Sequence, residues 1–243
     1  PLIQSLQLSA PVQLVCYQLV IAVSASLLFI GKWSEAVFLL NSLPAIINKN
    51  LIYQPITLLL TFLLLIVFRY SRKEVFTAHF RKGEISATIL PETWIGIKPK
   101  ETENWKHIGR NFTIIITAVT AVVVFFQVIN QESINWNNWL RYLHFILLFS
   151  LINSFVEEMI TRLGVVISLK DIISDKKIPI VSAAIFGIVH YWGTPGGIVG
   201  VLFAGFLGWF LTKSIIETRG IYWAWLIHFL QDVVIFSAML LTI

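Results

Sequence analysis

The chain has 243 residues, of which 57% are hydrophobic and only 13% are charged, and its formal net charge is +5. A soluble domain has about 25% charged residues, so a soluble fold of this length is excluded. A single cysteine, Cys16, excludes an intramolecular disulfide and a thiolate metal cluster. The basic residues concentrate in a few loops, which indicates membrane topology and argues against a nucleic-acid partner.

Long apolar runs occur along the whole chain, and a bilayer is crossed by about 20 helical residues. We predict seven apolar segments, at about 12–31, 51–68, 112–129, 140–167, 179–192, 197–213 and 221–241. The fourth is long enough to tilt or to extend beyond the membrane, and the fifth is too short to span it if straight. The sequence therefore predicts an all-α, polytopic transmembrane bundle of about seven helices.

The longest polar stretch, 69–111, contains Arg69, Arg72, Lys73, Arg81, Lys82, Lys98, Lys100, Lys106 and Arg110. Basic loops stay in the cytoplasm, so we predict an integral membrane protein whose amino terminus is cytoplasmic. Apolar residues within the stretch, such as Phe76, Ile89 and Trp94, favour an interfacial segment that caps the bundle over a solvated connector.

Small residues recur every four positions in the sixth segment, at Gly196, Gly200, Ala204 and Gly208. This spacing forms one smooth helix face, which allows neighbouring helices to approach closely. We therefore expect this helix to pack tightly at the centre of the bundle.

Six ionisable residues interrupt the later apolar runs. A charge at the centre of a bilayer costs at least about 2.5–3.5 kcal/mol, so such residues must face protein or water and must be paired. They are Glu157, Glu158 and Arg162 in the fourth segment, His190 in the fifth, and His228 and Asp232 in the seventh.

Helical spacing sorts these residues into partners. Glu158 and Arg162 are i,i+4 neighbours and can neutralise each other, whereas Glu157 points about 100° away. His228 and Asp232 are also i,i+4 neighbours, so the carboxylate can orient the imidazole. At about 1.5 Å per residue, Glu157, His190 and His228 lie at similar depth, which predicts one site that opens to the cytoplasm.

Two kinds of hydrolytic chemistry suit these residues. A desolvated carboxylate can act as general base toward water while polar groups stabilise an oxyanion. Alternatively, Glu157, His190, His228 and Asp232 could bind a divalent metal such as zinc, which would perform both tasks. The sequence contains no HExxH motif, so a zincin-type site is excluded. The cofactor is therefore either such a metal or none.

Three motifs carry a family resemblance. Glu157–Arg162 is an EExxxR motif, Phe186–His190 is FxxxH, and His228–Asp232 is Hxxx[N/D]. In this order, on successive membrane helices, they resemble the motifs of the CPBP family. This family contains the type II CAAX prenyl endoproteases and the bacterial bacteriocin-processing, or Abi, proteins.

The resemblance implies an intramembrane protease that cleaves near the cytoplasmic face. It implies that Glu157 activates the attacking water, that Glu158 and Arg162 support it, and that His190, His228 and Asp232 complete the site and stabilise the oxyanion. The prenyl endoproteases have Asn at the last position. Because Asp232 can donate a hydrogen bond only when protonated, its oxyanion role is weakened, and the bacterial branch fits better.

From these features we predict two regions of the chain and the partners of the protein. Residues 1–111 are predicted to form a transmembrane pair plus the basic segment, and residues 112–243 the catalytic bundle. The expected partners are membrane lipid and a membrane-associated peptide or protein substrate. Two alternatives stay open: a transporter or proton relay, which also uses intramembrane carboxylates and histidines, and a non-catalytic immunity or binding protein of the same fold.

Overall fold

The computed structural model describes residues 2–37, 39–129, 134–193 and 196–242. Within these ranges the chain is helical, and its only β-type pairings are isolated bridges. The helices are α1 (Leu2–Glu35), α2 (Ala45–Ser71), α3 (Lys73–His79), α4 (Trp105–Ile129), α5 (Trp136–Glu157), α6 (Gly164–Leu169), α7 (Ile178–Val189), α8 (Gly197–Thr218) and α9 (Tyr222–Leu241). A π-helical turn, Glu158–Leu163, joins α5 to α6, and a 3-10 turn, His190–Trp192, follows α7.

Six helical spans in the described ranges are long and apolar enough to cross a membrane. They are Ala10–Glu35, Ala45–Ser71, Trp105–Phe126, Trp136–Leu169, Gly197–Thr218 and Tyr222–Leu241. The apolar helix Ile178–Trp192 is shorter than these, as predicted for the fifth segment. The predicted all-α transmembrane bundle is confirmed, and the protein is an integral membrane protein.

One end of the bundle, which we call the capped end, is covered by residues 72–104. Arg72 donates hydrogen bonds to the carbonyl oxygens of Ile167 and Lys170 at 3.3 and 3.0 Å. Arg81 Nε donates to the carbonyl of Arg219 at 3.1 Å, and Trp223 Nε1 donates to that of Ile85 at 3.1 Å. The predicted capping by the basic segment is therefore observed over this range.

A buried ionic cluster fastens this cap to α8. Lys213 forms ion pairs with Glu217 and, at 3.4 Å, with Glu92. Glu217 also accepts hydrogen bonds from Trp105 Nε1 at 2.8 Å and from the backbone N–H of Leu90 at 3.2 Å. Because buried charges are costly unless they are paired and hydrogen-bonded, this cluster fixes the cap to one position on the bundle.

The opposite end, which we call the open end, contains the connection between α1 and α2. A small apolar cluster there joins the start of α2 (Ile47), the start of α5 (Tyr142, Ile146) and the end of α9 (Leu240). The predicted boundary between residues 111 and 112 falls inside α4.

Helices α7 and α8 approach each other closely because glycines line their contact. A Cβ atom on Gly187 would meet the carbonyl oxygen of Val201 at 2.8 Å, and one on Gly208 would meet Phe186 Cβ at 3.2 Å. The predicted tight packing of α8 is thus confirmed at Gly208. Gly200 and Ala204, on the same face, instead line a cavity beside the candidate site.

Candidate active site

The π-helical turn Glu158–Leu163 positions the acidic motif. Such turns occur mostly as single interruptions of α-helices, frequently at functional sites. Glu158 Oε1 lies 3.4 Å from Arg162 Nε, and both side chains are fully buried. The predicted pairing of Glu158 with Arg162 is therefore observed, on a turn that is wider than the α-helix assumed for it.

Arg162 contacts more than its carboxylate partner. Its guanidinium lies over the Phe186 ring, 3.3 Å from the centroid, and Nη1 donates to Thr161 Oγ1 at 2.6 Å. A cation over an aromatic face is stabilised, most strongly where water is excluded. Phe186, the first residue of the FxxxH motif, thus supports the buried arginine from a neighbouring helix.

His228 connects α9 to the acidic motif. Its Nδ1 lies 2.7 Å from Glu158 Oε1, while its Nε2 lies 3.6 Å from Glu157 Oε2 and 3.7 Å from Asp232 Oδ1. The predicted neighbour Asp232 is present, but Glu158 is the hydrogen-bond partner that orients the ring. An ionised carboxylate only accepts, so this contact requires a proton on Nδ1.

Asn153 joins the two remaining carboxylates. Its Nδ2 donates to Glu157 Oε1 at 3.2 Å and to Asp232 Oδ2 at 3.1 Å. Sequence reasoning missed this residue, although a polar amide one turn before Glu157 in an apolar run was a detectable signal. Glu157 Oε2 is buried and has no hydrogen-bond partner among the described residues.

His190 begins the 3-10 turn after α7. Its Nδ1 donates to the carbonyl oxygen of Phe186 at 2.8 Å, and the two rings lie 4.0 Å apart between centroids. Phe186 also meets the His228 ring, at 5.7 Å. His190 and Glu157 both line two cavities, of about 170 and 640 Å³, which we call the polar cavities because these ionisable side chains line them. The structure thus gathers all six predicted residues into one layer.

Tyr53 on α2 also reaches this layer, and sequence reasoning missed it. It lines both polar cavities together with Glu157 and His190. A lone tyrosine in an apolar helix is too common to serve as a signal, so only the three-dimensional structure reveals it.

Two cavities on different sides of these residues differ in the character of their walls. A polar cavity of about 640 Å³ extends from Glu157, His190 and Asp232 to Lys32 and Glu35 at the open end. An apolar cavity of about 300 Å³ lies between α4, α8 and α9, where it is lined by His190, His228, Asp232 and many apolar side chains. Exposed residues of α4 and α8, such as Ile115 and Phe203, form part of its wall, so it reaches the lateral surface of the bundle.

The polar cavity bears on the expected direction of access to the site. It reaches the open end, whereas the basic segment covers the capped end. If the basic segment lies in the cytoplasm, the cavity opens toward the opposite face. The predicted cytoplasmic opening and the predicted cytoplasmic amino terminus therefore cannot both hold.

The described residues do not fit a metal centre. No group of three or more His, Cys, Asp or Glu side chains in this part of the chain is arranged to hold a metal ion. Of the candidate ligands Glu157, His190, His228 and Asp232, the first and last are bridged by Asn153.

Comparison with known protein families identifies the part of the chain that contains these residues. Neither a search of curated proteins nor one of solved structures found a match. Residues 138–234 match the family model described as "Type II CAAX prenyl endopeptidase Rce1-like". This range contains the six predicted site residues together with Asn153. The resemblance drawn from the three motifs is thus confirmed over residues 138–234, a range similar to this family and consistent with the CPBP type.

Proposed function

We propose that the protein is an intramembrane endopeptidase in which Glu157 activates water. The observation that carries this proposal is the position of Glu157 Oε2. This oxygen is buried, has no hydrogen-bond partner among the described residues, and lies 3.6 Å from His228 Nε2 beside a cavity that reaches the bundle surface. A carboxylate oxygen held in this way can accept a proton from a water molecule in the cavity.

The reaction balances with Glu157 as the only proton carrier. Glu157 takes a proton from water as the water oxygen bonds to the carbonyl carbon of the scissile peptide, whose oxygen becomes an oxyanion. The oxyanion then collapses, the C–N bond breaks, and protonated Glu157 gives its proton to the leaving amine. The immediate products are a carboxylic acid and an amine, which exchange a proton to become a carboxylate and an ammonium ion, and Glu157 returns to its starting state.

Neighbouring residues hold this base in place. Asn153 binds the other oxygen of Glu157, which fixes the carboxylate plane. Glu158 orients His228 through Nδ1, so that Nε2 faces Glu157 and Asp232. Arg162 offsets the charge of Glu158 in a region without water. These contacts support the division into a base, Glu157, and its positioning residues.

The cavities favour a substrate that has one large apolar side chain and a hydrophilic continuation. The apolar cavity accommodates a large apolar side chain next to the scissile bond, and its lateral wall allows entry from lipid. The polar cavity accommodates the hydrophilic continuation of the peptide toward Lys32 and Glu35. We therefore propose a membrane-associated peptide or protein as substrate, in the inner membrane of a bacterium. A prenyl group is not required by this geometry.

A transporter is the second reading of these residues, and one observation weighs against it. A transporter needs a path to both faces, but every residue of Glu158–Leu163 is at most 3% exposed. A non-catalytic protein of the same fold differs from a protease only in turnover.

Turnover of a peptide library by the purified protein tests the proposal. We expect wild type to cleave peptides with a large apolar residue, with and without chelator, and Glu157→Gln to lose cleavage by at least about 10³-fold, because an amide cannot accept the proton of water. Glu101→Gln, at an exposed position of the cap, is the matched control. Full activity of Glu157→Gln would refute the assignment, and loss of wild-type activity with chelator would point to a metal.

A further inference from the structure

The proposed reaction needs a hydrogen-bond donor for the oxyanion, and the motif residues supply few. The Nδ1 atoms of His190 and His228 are already engaged with Phe186 and Glu158. In a neutral imidazole with a proton on Nδ1, the other nitrogen is an acceptor. Asp232 accepts from Asn153, whose Nδ2 is shared with Glu157. None of these contacts leaves a neutral donor free for the substrate.

Tyr53 has a suitable position for this role. It comes from α2, outside the segment 138–234 that matches the family model. It lines the same two polar cavities as Glu157 and His190. The larger of these cavities is also lined by Asn153 and Asp232, so Tyr53 shares it with both carboxylates.

The Tyr53 hydroxyl is also available. In the part of the chain that the structure describes, it takes part in no hydrogen bond, whereas the neighbouring hydroxyls of Ser24 and Thr161 already donate to the backbone carbonyls of Val20 and Glu157. The ring itself is held against α1, since a Cβ atom on Gly31 would lie 3.7 Å from Tyr53 Cε2.

We propose that Tyr53 is a catalytic residue whose hydroxyl donates a hydrogen bond to the carbonyl oxygen of the scissile peptide. This inference rests on the proposed function. A phenol is neutral and donates without a change of charge, so it stabilises the oxyanion while Glu157 carries the proton. It thereby fills the role that Asp232, a carboxylate in place of Asn, fills poorly.

The test is Tyr53→Phe, which removes only the hydroxyl. Because loss of one oxyanion donor costs about 10²–10³ in kcat, we expect kcat to fall by about 100-fold while KM changes less than about twofold. The melting temperature should equal that of wild type. Tyr142→Phe is the matched control, since Tyr142 is buried in the apolar cluster at the open end and lines neither polar cavity. Its kcat should not change.

Binding of a phosphinate analogue of a cleaved peptide gives a readout that needs no turnover. We expect Tyr53→Phe to weaken the analogue by about 100-fold and the parent peptide hardly at all, because the hydroxyl acts on the tetrahedral state. Wild-type kcat, unchanged analogue affinity, or a loss of activity that follows a lowered melting temperature would each overturn the role of Tyr53. If wild type neither cleaves peptides nor binds the analogue, the proposed function itself fails, and this inference fails with it.

Discussion

Glu158 on the π turn accepts a hydrogen bond from Nδ1 of His228 on α9 at 2.7 Å, across 70 positions of sequence. The same carboxylate oxygen lies 3.4 Å from Arg162 Nε. Glu158 Oε1 therefore contacts a histidine on α9 and an arginine one turn further along its own helix. This makes Glu158 the residue through which the acidic motif and α9 are held together.

Removal of Arg162 should destabilise the protein more than it alters the chemistry. Arg162→Ala leaves Glu158 charged and buried, which costs about 3–5 kcal/mol when a buried pair is broken. Glu158→Gln should restore part of the loss, because the amide oxygen still accepts from His228. We expect thermal melts to show a lower melting temperature for Arg162→Ala and partial recovery in the double variant. Arg141→Ala, at an exposed position of α5, is the control, and a wild-type melt for Arg162→Ala would contradict the pairing.

Ala204→Leu should change which peptides are cleaved. The added atoms enter the apolar cavity beside Phe186 and His190. A hydrophobic pocket discriminates by about 10–200-fold per methylene, so kcat/KM should fall at least about tenfold for peptides with a large apolar residue and much less for those with alanine. Ala118→Leu, on an exposed position of α4, controls for added bulk. An equal loss for both peptide classes would exclude the cavity as a specificity pocket.

We expect acid to destabilise the cap because His79 becomes protonated. Burial lowers the pKa of His79 below its ordinary value of 6.5, and the charges of Lys170 and Arg219 add to this, although the hydrogen bond to the Val75 carbonyl opposes it. The unfolded chain therefore binds the proton first. The stability contributed by neutral His79 is complete above about pH 6.5 and is lost as the pH falls through the lowered pKa of the folded state.

Melting temperatures measured from pH 8 to pH 5 test this. The melting temperature of wild type should fall more over this pH range than that of His79→Gln, because glutamine has no imidazole to protonate. His107→Gln, which removes a more exposed histidine of α4, should keep the wild-type slope. Identical slopes for wild type and His79→Gln would contradict the prediction.

Cysteine labelling decides between the two conflicting expectations of orientation. Lys32→Cys lies at the open end and Lys98→Cys at an exposed position of the cap, while the native Cys16 is buried. The charge bias predicts that an impermeant maleimide labels Lys32→Cys in intact cells and labels Lys98→Cys only after permeabilisation. The reverse pattern would place the cavity mouth in the cytoplasm and the amino terminus outside.

The membrane helices and the clustered site could be predicted because both follow from the cost of burial. Apolar runs such as that of α2 have no other stable environment. Glu157, His190 and His228 had to face one another or water, because lipid offers no partner. The pairing of Glu158 with Arg162 followed from helical spacing, which the π turn alters too little to separate them.

Other features could not be predicted because they depend on helix packing. Asn153 and Tyr53 become site residues only once α2, α5 and α9 are brought together. The orientation of His228 by Glu158, ahead of Asp232, is set by the distance between two helices and not by spacing within one. The direction in which a cavity opens has no counterpart in the distribution of charge along the chain.

The π turn also changes the rotation of the second half of the long helical span, residues 136–169, relative to its first half. One helical position corresponds to about 100° of rotation, so an uninterrupted α-helix could not keep both halves in their present alignment. The half before the turn aims Asn153 and Glu157 at α9, and the half after it packs α6 against α1. Deletion of Ile160 from this turn would therefore rotate Glu157 away from His228 without removing any of the residues that form the site.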